Sequence, residues 1–444
     1  MIPVKLEKEE GKYMLIHGYT GATDIVTENL LAQIKAISSV NDFSEKTLEA
    51  LIKRGYITTK TQEEEYAYVA RIAKALHRES NILNTTFTWV VSYNCNFRCP
   101  YCFEGREKKN SKEKFTFTKE LVDLAFDAQD KIQQHKELRR NIITLYGGEP
   151  LLAENKDVVN YIVEEGRKRG YTFEAVTNGY EVEHFLNLLT PNGINKIQIT
   201  VDGTKEMHNR RRIHYKDHET FDKIIDNIKL ALDRGIKVVV RMNSDGQNIE
   251  QFVELREHFK ERNFFDFPEF YIYVARLRDY DHFTPSEHKE LSFISQQSFT
   301  TKQAQLDSAS FRRDSGIYKN IYDALINRKP LPLNSISCTA QSGGYVLDPF
   351  GNIYPCWEVV GKKEFIKGVY SKGEIIWNNE VLDKWQNTDI SQKDPCKHCK
   401  YALLCGGGCP YHSLLKGQNT QCAVFKGAFD LMINKAHAEL NKHL

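Results

Sequence analysis

From Thr85 onward, short apolar and β-branched runs alternate with longer segments in which apolar residues recur every three or four positions. The runs TFTWVVSY (85–92), NIITLY (141–146), YTFEAVT (171–177), KIQITV (196–201), KVVVRM (237–242) and EFYIYV (269–274) predict buried strands. Helical spacing predicts helices near 118–135, 154–169, 181–189, 219–234 and 248–260. Strand–helix alternation gives parallel strands joined by right-handed crossovers. Six strands fall short of the eight that close a full barrel, so the expected core is an α/β fold with a partial, open (β/α)6 barrel over 85–283. Loops after the C-terminal ends of such strands are where ligands bind.

The flanking patterns differ. In residues 1–84, KYMLIHG predicts a strand, and TENLLAQIKAI and SEKTLEALIKRG predict helices begun by Thr and Ser caps. YITTK reads as a second short strand and 61–78 as a charged helix, which together suggest a winged-helix-like module. Residues 284–334 read as a polar helical bridge. Residues 335–444 are rich in Gly, Pro and Cys, with little periodic apolar surface before an amphipathic helix near 424–442. Such a region needs metals to hold it together.

Composition narrows the function. The chain has 444 residues and a formal net charge of +2, which gives no electrostatic case for nucleic acid as a partner. No apolar run approaches the roughly 18–20 residues of a membrane span. The start, MIPVKLEKEEGKYML, lacks the apolar core of a secretory signal, so a cytoplasmic protein without a membrane partner is expected. In that compartment thiols stay reduced, and ten cysteines are not a disulfide framework. Their positions are segregated: Cys95, Cys99 and Cys102 form one group, and Cys338, Cys356, Cys396, Cys399, Cys405, Cys409 and Cys422 the other.

Three cysteines in Cys-x3-Cys-x2-Cys spacing can converge on three irons of a [4Fe–4S] cluster, leaving the fourth iron open. Structural zinc normally takes four protein ligands, and no fourth Cys or His lies nearby. This spacing, with Tyr101 before the last cysteine, resembles the radical S-adenosylmethionine (radical SAM) superfamily. The resemblance implies that the open iron binds the amino and carboxylate groups of S-adenosylmethionine (AdoMet), with Tyr101 beside the adenine. Further marks sit at successive strand ends: Gly147, Gly148, Glu149 and Pro150, then Thr177 and Asn178, then Arg212 in VDGTKEMHNRRR. In the family these positions contact AdoMet. An electron from the reduced cluster there cleaves AdoMet to methionine and a 5′-deoxyadenosyl radical, which removes hydrogen from an unactivated carbon.

The second cysteine group is similar in every spacing to the SPASM domain, which carries two auxiliary [4Fe–4S] clusters and would make three clusters in all. The resemblance assigns Cys396, Cys399, Cys405 and Cys422 to the distal cluster, and Cys338, Cys356 and Cys409 to the one nearer the barrel. Three clusters with one iron on AdoMet require eleven thiolates; the chain has ten. The iron left over would take an Asp, Glu, His or water, or a cysteine of the substrate. The module over 1–84 resembles the leader-recognition element of enzymes that mature ribosomally made peptides (RiPP maturases). The implied activity is a peptide maturase forming an intramolecular crosslink, foremost a Cys thioether, on a precursor peptide with a leader. A low-potential donor such as flavodoxin or ferredoxin would supply electrons. Alternatives are carbon–carbon crosslinking, epimerisation, anaerobic sulfatase maturation to formylglycine, and a non-catalytic Fe–S scaffold. Against sulfatase maturation, Trp357 stands where that family has a catalytic Asp after the cysteine at 356. No residue of the chain is singled out as a catalytic base.

Overall fold

In the computed structural model, the described residues are 1–37, 39, 42–83, 85–104, 116–280, 291–306, 316–371, 373–415 and 420–441. They fall into two compact units. One comprises Met1–Ile82, Phe311–Ser342 and Lys384–Leu444; the other comprises Leu83–Ser310 and Gly343–Asp383.

The first unit opens with a three-stranded antiparallel sheet, β1 (Ile2–Lys5), β2 (Lys12–Ile16) and β3 (Thr23–Thr27), in that order. Helices α1 (Glu28–Lys35), α2 (Glu45–Arg54) and α3 (Gln62–Leu83) follow. The caps act as their sequence predicts: Thr27 accepts from the Leu30 N–H and Ser44 from the Thr47 N–H, and Gly55 ends α2 in the left-handed conformation. The sheet, however, uses different strands from those expected. YITTK (56–60) is not a strand. Tyr56 instead donates its hydroxyl to the Leu15 carbonyl and to Asp24, and packs with Ile57 against the small core of Leu15, Val26, Leu31, Ile34 and Leu51. The third strand comes from TDIVT, which alternates too weakly to announce itself. In the same unit the closing helix, Thr420–Leu440, packs on the helix Gly316–Ile326. The Asn434 amide reaches β1, donating to the Lys5 carbonyl and accepting from the Glu7 N–H.

The second unit is built on the six predicted strands: β4 (Thr86–Ser92), β5 (Ile142–Gly147), β6 (Thr172–Thr177), β7 (Ile194–Thr200), β8 (Lys237–Ser244) and β9 (Phe270–Arg276). They pair in parallel, each with the next in sequence. The crossovers carry α4 (Lys119–Ile132), α5 (Lys156–Lys168), α6 (Lys205–Arg211), α7 (Phe221–Asp233) and α8 (Phe252–Glu261). Their apolar faces bury Phe126, Ile162, Ile228 and Leu255 with Trp89, Phe173 and Val240 of the sheet in one core. The helix expected over 181–189 is only a 3-10 turn, Val182–Phe185. Its buried residues, Val182 and Phe185, stand three positions apart, one turn of that tighter helix.

A meander extends the sheet beyond the barrel. Strand β10 (Gly344–Leu347) adds in parallel to β4, and β11 (Asn352–Tyr354), β12 (Gly368–Val369) and β13 (Ile376–Trp377) follow antiparallel, giving ten strands. Of the predicted helical bridge, 284–290 and 307–315 lie outside the described residues; Gln296–Leu306 and Gly316–Ile326 are helical.

Candidate active site

The loop after β4 carries Cys95, Cys99 and Cys102 to the C-terminal mouth of the parallel strands. All three line one cavity of about 370 Å³ together with Tyr101, Gly147, Gly148, Glu149, Thr177, Asn178 and Arg212. Every expected AdoMet contact except Pro150 is therefore at this cavity. Pro150 is buried behind it, and its carbonyl accepts from Asn155. Two backbone hydrogen bonds fasten the Gly-Gly turn to the cysteine loop, from the Gly148 N–H to Ser92 O (2.9 Å) and from the Glu149 N–H to Asn94 O (2.8 Å). Gly147 has φ +133°, and a Cβ at Gly148 would lie 2.4 Å from the Asn94 carbonyl oxygen. Only glycine permits that approach.

Glu149 turns out to be a clamp rather than an open ligand group. Its carboxylate accepts from the Thr177 hydroxyl (2.6 Å), the Asn178 N–H (2.5 Å) and the Leu151 N–H (2.9 Å). It thereby joins the end of β5 to the end of β6. Burial raises its pKa to about 7, opposed by those three donors and by the Arg212 charge. The Asn178 amide in turn donates to Asn96 (2.7 Å) inside the cysteine loop.

The opposite wall rests on residues that no sequence motif assigned. The Tyr101 hydroxyl donates to Asp202, and burial together with that carboxylate keeps the phenol protonated. Arg211 lies 5.3 Å from the Tyr101 ring and pairs with Asp245 at 2.8 Å. A short relay positions Arg212. The Asp202 N–H donates to His208 Nδ1 (3.2 Å), so the His208 proton sits on Nε2, facing Thr220 Oγ1 (3.0 Å). The Thr220 hydroxyl donates to the Arg212 carbonyl (2.7 Å). Asp202, His208 and Arg211 all lie within VDGTKEMHNRRR. A histidine close before three arginines at a strand end was the available signal, but charge runs usually read as solvated.

Arg212 is buried, and its Nε meets no acceptor among the described residues. Its Nη1 makes only long contacts, 3.5 Å to Cys99 Sγ and 3.5 Å to Tyr101 Oη. Burial works against its charge, while Cys99, Tyr101 and Asp202 hold it in the cationic form. Three thiols and an unsatisfied guanidinium facing one cavity fit an Fe–S cluster with one open iron and an anionic ligand beside it. Among the described residues, no three Cys, His, Asp or Glu side chains converge as they would on a single metal ion.

In the first unit Cys396, Cys399, Cys405 and Cys422 line a second cavity, of about 320 Å³; Cys409 is not among its lining residues. Burial lifts the Cys396 thiol, and pushes Cys405 up to about 11. Iron would convert such thiols to thiolates where water does not. Cys338, in the same unit, opens the 3-10 turn Thr339–Gln341. Cys356, in the barrel unit, opens the turn Trp357–Val359 with nearly the same backbone angles. Trp357 lines the barrel cavity and stacks on Tyr146 with ring centroids 5.8 Å apart.

Residues 89–259 match the Radical SAM superfamily. The chain is 24% identical over 373 residues to a cysteine-type anaerobic sulfatase-maturating enzyme of Clostridium novyi, covering 78% of this chain and 94% of the relative. Its fold is similar to that of native anSMEcpe with bound AdoMet and Kp18Cys peptide (TM-score 0.58, 20% identity, 80% of this chain and 99% of that one). It is also similar in fold to Streptococcus suis SuiB (TM-score 0.53, 17% identity, 94% and 96%). Among the described residues, no helix is long and apolar enough to cross a membrane.

Proposed function

Since the chain is a radical SAM enzyme, we propose that it is a SPASM-type maturase that crosslinks a ribosomally made peptide through a Cys thioether. The observation that carries the reading is the single cavity in which Cys95, Cys99 and Cys102 meet the unsatisfied Arg212 and the fixed Tyr101 ring. When bound there, AdoMet and a reduced [4Fe–4S] cluster supply a carbon radical able to take hydrogen from the substrate. The protein's part is placement. Glu149 and Asn178 lock three loops at the mouth, and the His208–Thr220 relay fixes the Arg212 backbone, from which its guanidinium would hold a carboxylate of the cofactor. Tyr146, Trp357 and Tyr280 line the cavity as well, and give its lining apolar surface that keeps water from a reactive carbon.

A peptide substrate is supported by the likeness to anSMEcpe, solved with the Kp18Cys peptide. The edge of β3, which among the described residues pairs only with β2 and presents Ile25 at 48% exposure, suits an added leader strand. The cysteine count leaves one auxiliary iron short of a protein thiolate, which is where the substrate cysteine would bind. Sulfatase maturation is the second reading, favoured by the relative from Clostridium novyi. Trp357 opposes it, since an indole cannot act as the base that an Asp at this position supplies in that family.

The test is reduction of the reconstituted protein with AdoMet and the short peptide encoded beside its gene. Production of 5′-deoxyadenosine that disappears when Cys95, Cys99 and Cys102 are all Ala is expected, and production that survives refutes the reading. Mass spectrometry separates the two substrates: a thioether loses two hydrogens and keeps sulfur, whereas formylglycine formed from Cys loses the sulfur.

A further inference from the structure

Arg241 projects from β8 into the barrel cavity at a level where the neighbouring strands offer Thr200 and Tyr273 as register partners. Its Nε is buried without an acceptor, and its guanidinium makes no hydrogen bond or ion pair among the described residues. Four arginines and three glutamates line the cavity. Glu358 pairs with Arg278 at 2.5 Å, and Glu149 is held by the three donors described above. Glu104 and Arg241 act in opposite directions on the Tyr146 hydroxyl, with no hydrogen bond between the two. Arg276 spends Nε on Gln296 and Nη1 on the Ile294 carbonyl. Burial and the Arg278 charge hold it below the usual guanidinium range, so it too gains from a nearby anion. Arg212 is the guanidinium placed beside the cysteine loop. Arg241 is thus a second cation, on a rigid strand, with no acceptor of its own among the described residues.

We propose that Arg241 is a substrate-specificity residue that holds a carboxylate of the peptide in the barrel cavity. The inference rests on the peptide-maturase reading above. A guanidinium offers a planar fork that a carboxylate meets with two parallel hydrogen bonds, and the tyrosine rings nearby accommodate the apolar stem of an acidic side chain. The carboxylate would come from an Asp or Glu side chain, or from the peptide's own C-terminus.

The test is calorimetric binding to the full-length, AdoMet-loaded holoprotein without reductant, using three probes. These are acetyl-Gly-Asp-Gly-amide, its Asn counterpart, and acetyl-Gly-Gly-Gly with a free C-terminal carboxylate. The Asp peptide should bind about tenfold or more tightly than the Asn peptide, as expected for a charge-assisted bond out of water. Arg241→Gln should erase that preference and Arg241→Lys should retain part of it, in variants with wild-type iron content and melting temperature. Preference for the free-acid peptide alone, lost in Arg241→Gln, supports the site and assigns it to the C-terminus. Equal binding of the Asp and Asn peptides without a free-acid preference, binding of none of the three at millimolar concentration, or a preference that survives in Arg241→Gln, overturns the proposal. A loss of AdoMet affinity in Arg241→Gln with the peptide preference intact overturns it as well. Because no turnover is needed, failure of the maturase reading would show separately, as absence of peptide modification by the wild-type protein.

Discussion

Replacing Arg212 with Met should separate cofactor affinity from protein stability. The guanidinium is buried, its Nε has no acceptor among the described residues, and its two Nη1 contacts are both 3.5 Å long. Bonds of that length contribute little. The nearby Asp202 carboxylate is already satisfied by the Tyr101 hydroxyl and the Asn243 N–H. Loss of the charge should therefore cost the AdoMet-free protein less than about 1 kcal/mol. With AdoMet bound, the same guanidinium would face its carboxylate in a cavity poor in water. Truncating one member of such a desolvated pair costs about 2–5 kcal/mol, or roughly 30- to 4,000-fold in Kd. Arg212→Lys should fall between the two, since an ammonium restores charge without the fork. Calorimetric titration of AdoMet into reconstituted, unreduced protein measures the affinity, and the melting temperature without AdoMet measures the stability. A Kd within threefold of wild type, or affinity and stability falling together, would refute the assignment.

Three further outcomes follow from the same geometry. Glu149 holds a proton in the folded protein up to about pH 7, whereas the unfolded chain releases it near the ordinary carboxylate value, so stability should fall as pH rises through that window. Between pH 5.5 and 8 the loss is on the order of 2 kcal/mol, and a urea series at those two pH values should show it in wild type and not in Glu149→Gln. Gly166→Ala in α5 should destabilise by about 1–3 kcal/mol, although Ala is the better helix former, because its Cβ would lie 2.3 Å from Phe173 Cζ; a raised melting temperature would contradict the packing. Ile25→Pro on the edge strand β3 should weaken binding of the full-length precursor peptide, read by fluorescence anisotropy, without lowering 5′-deoxyadenosine formed in the absence of peptide.

The barrel was legible because its strands are short runs rich in apolar and β-branched residues, buried almost throughout in β4 and at alternate positions in β6 and β9, set between helices of clear period. The terminal sheet was not. Strands β1 and β3 are four and five residues long, and β3 keeps only Val26 buried, so no alternation stands out. YITTK misled because Tyr56 and Ile57 look like strand residues but serve as anchors from an irregular segment. At the mouth, the spacing of Cys95, Cys99 and Cys102 and the Gly-Gly turn announce the site from the linear chain alone. The wall made by Asp202, His208 and Asp245 is silent there, because each acts through a partner distant in sequence or through backbone atoms that a motif does not display. Arg241 is hidden for a related reason: one basic residue inside KVVVRM is indistinguishable from the end of a strand until the inner face of the sheet is known.

The pairing of β10 with β4 has a consequence for how the chain is made. Thr86 aligns with Gly344, so at a synthesis rate of about 5–20 residues per second roughly 13–50 s pass between the emergence of the two strands. Throughout that interval the outer side of β4 over 86–89 presents unpaired N–H and C=O groups, a few residues ahead of three cysteines. A nascent chain in this condition is open to edge-to-edge association and to oxidation at Cys95, Cys99 and Cys102. Cluster insertion or a chaperone that covers β4 during translation would then govern how much protein matures, and slowing the ribosome between codons 92 and 344 should lower the soluble yield more than slowing it after 350.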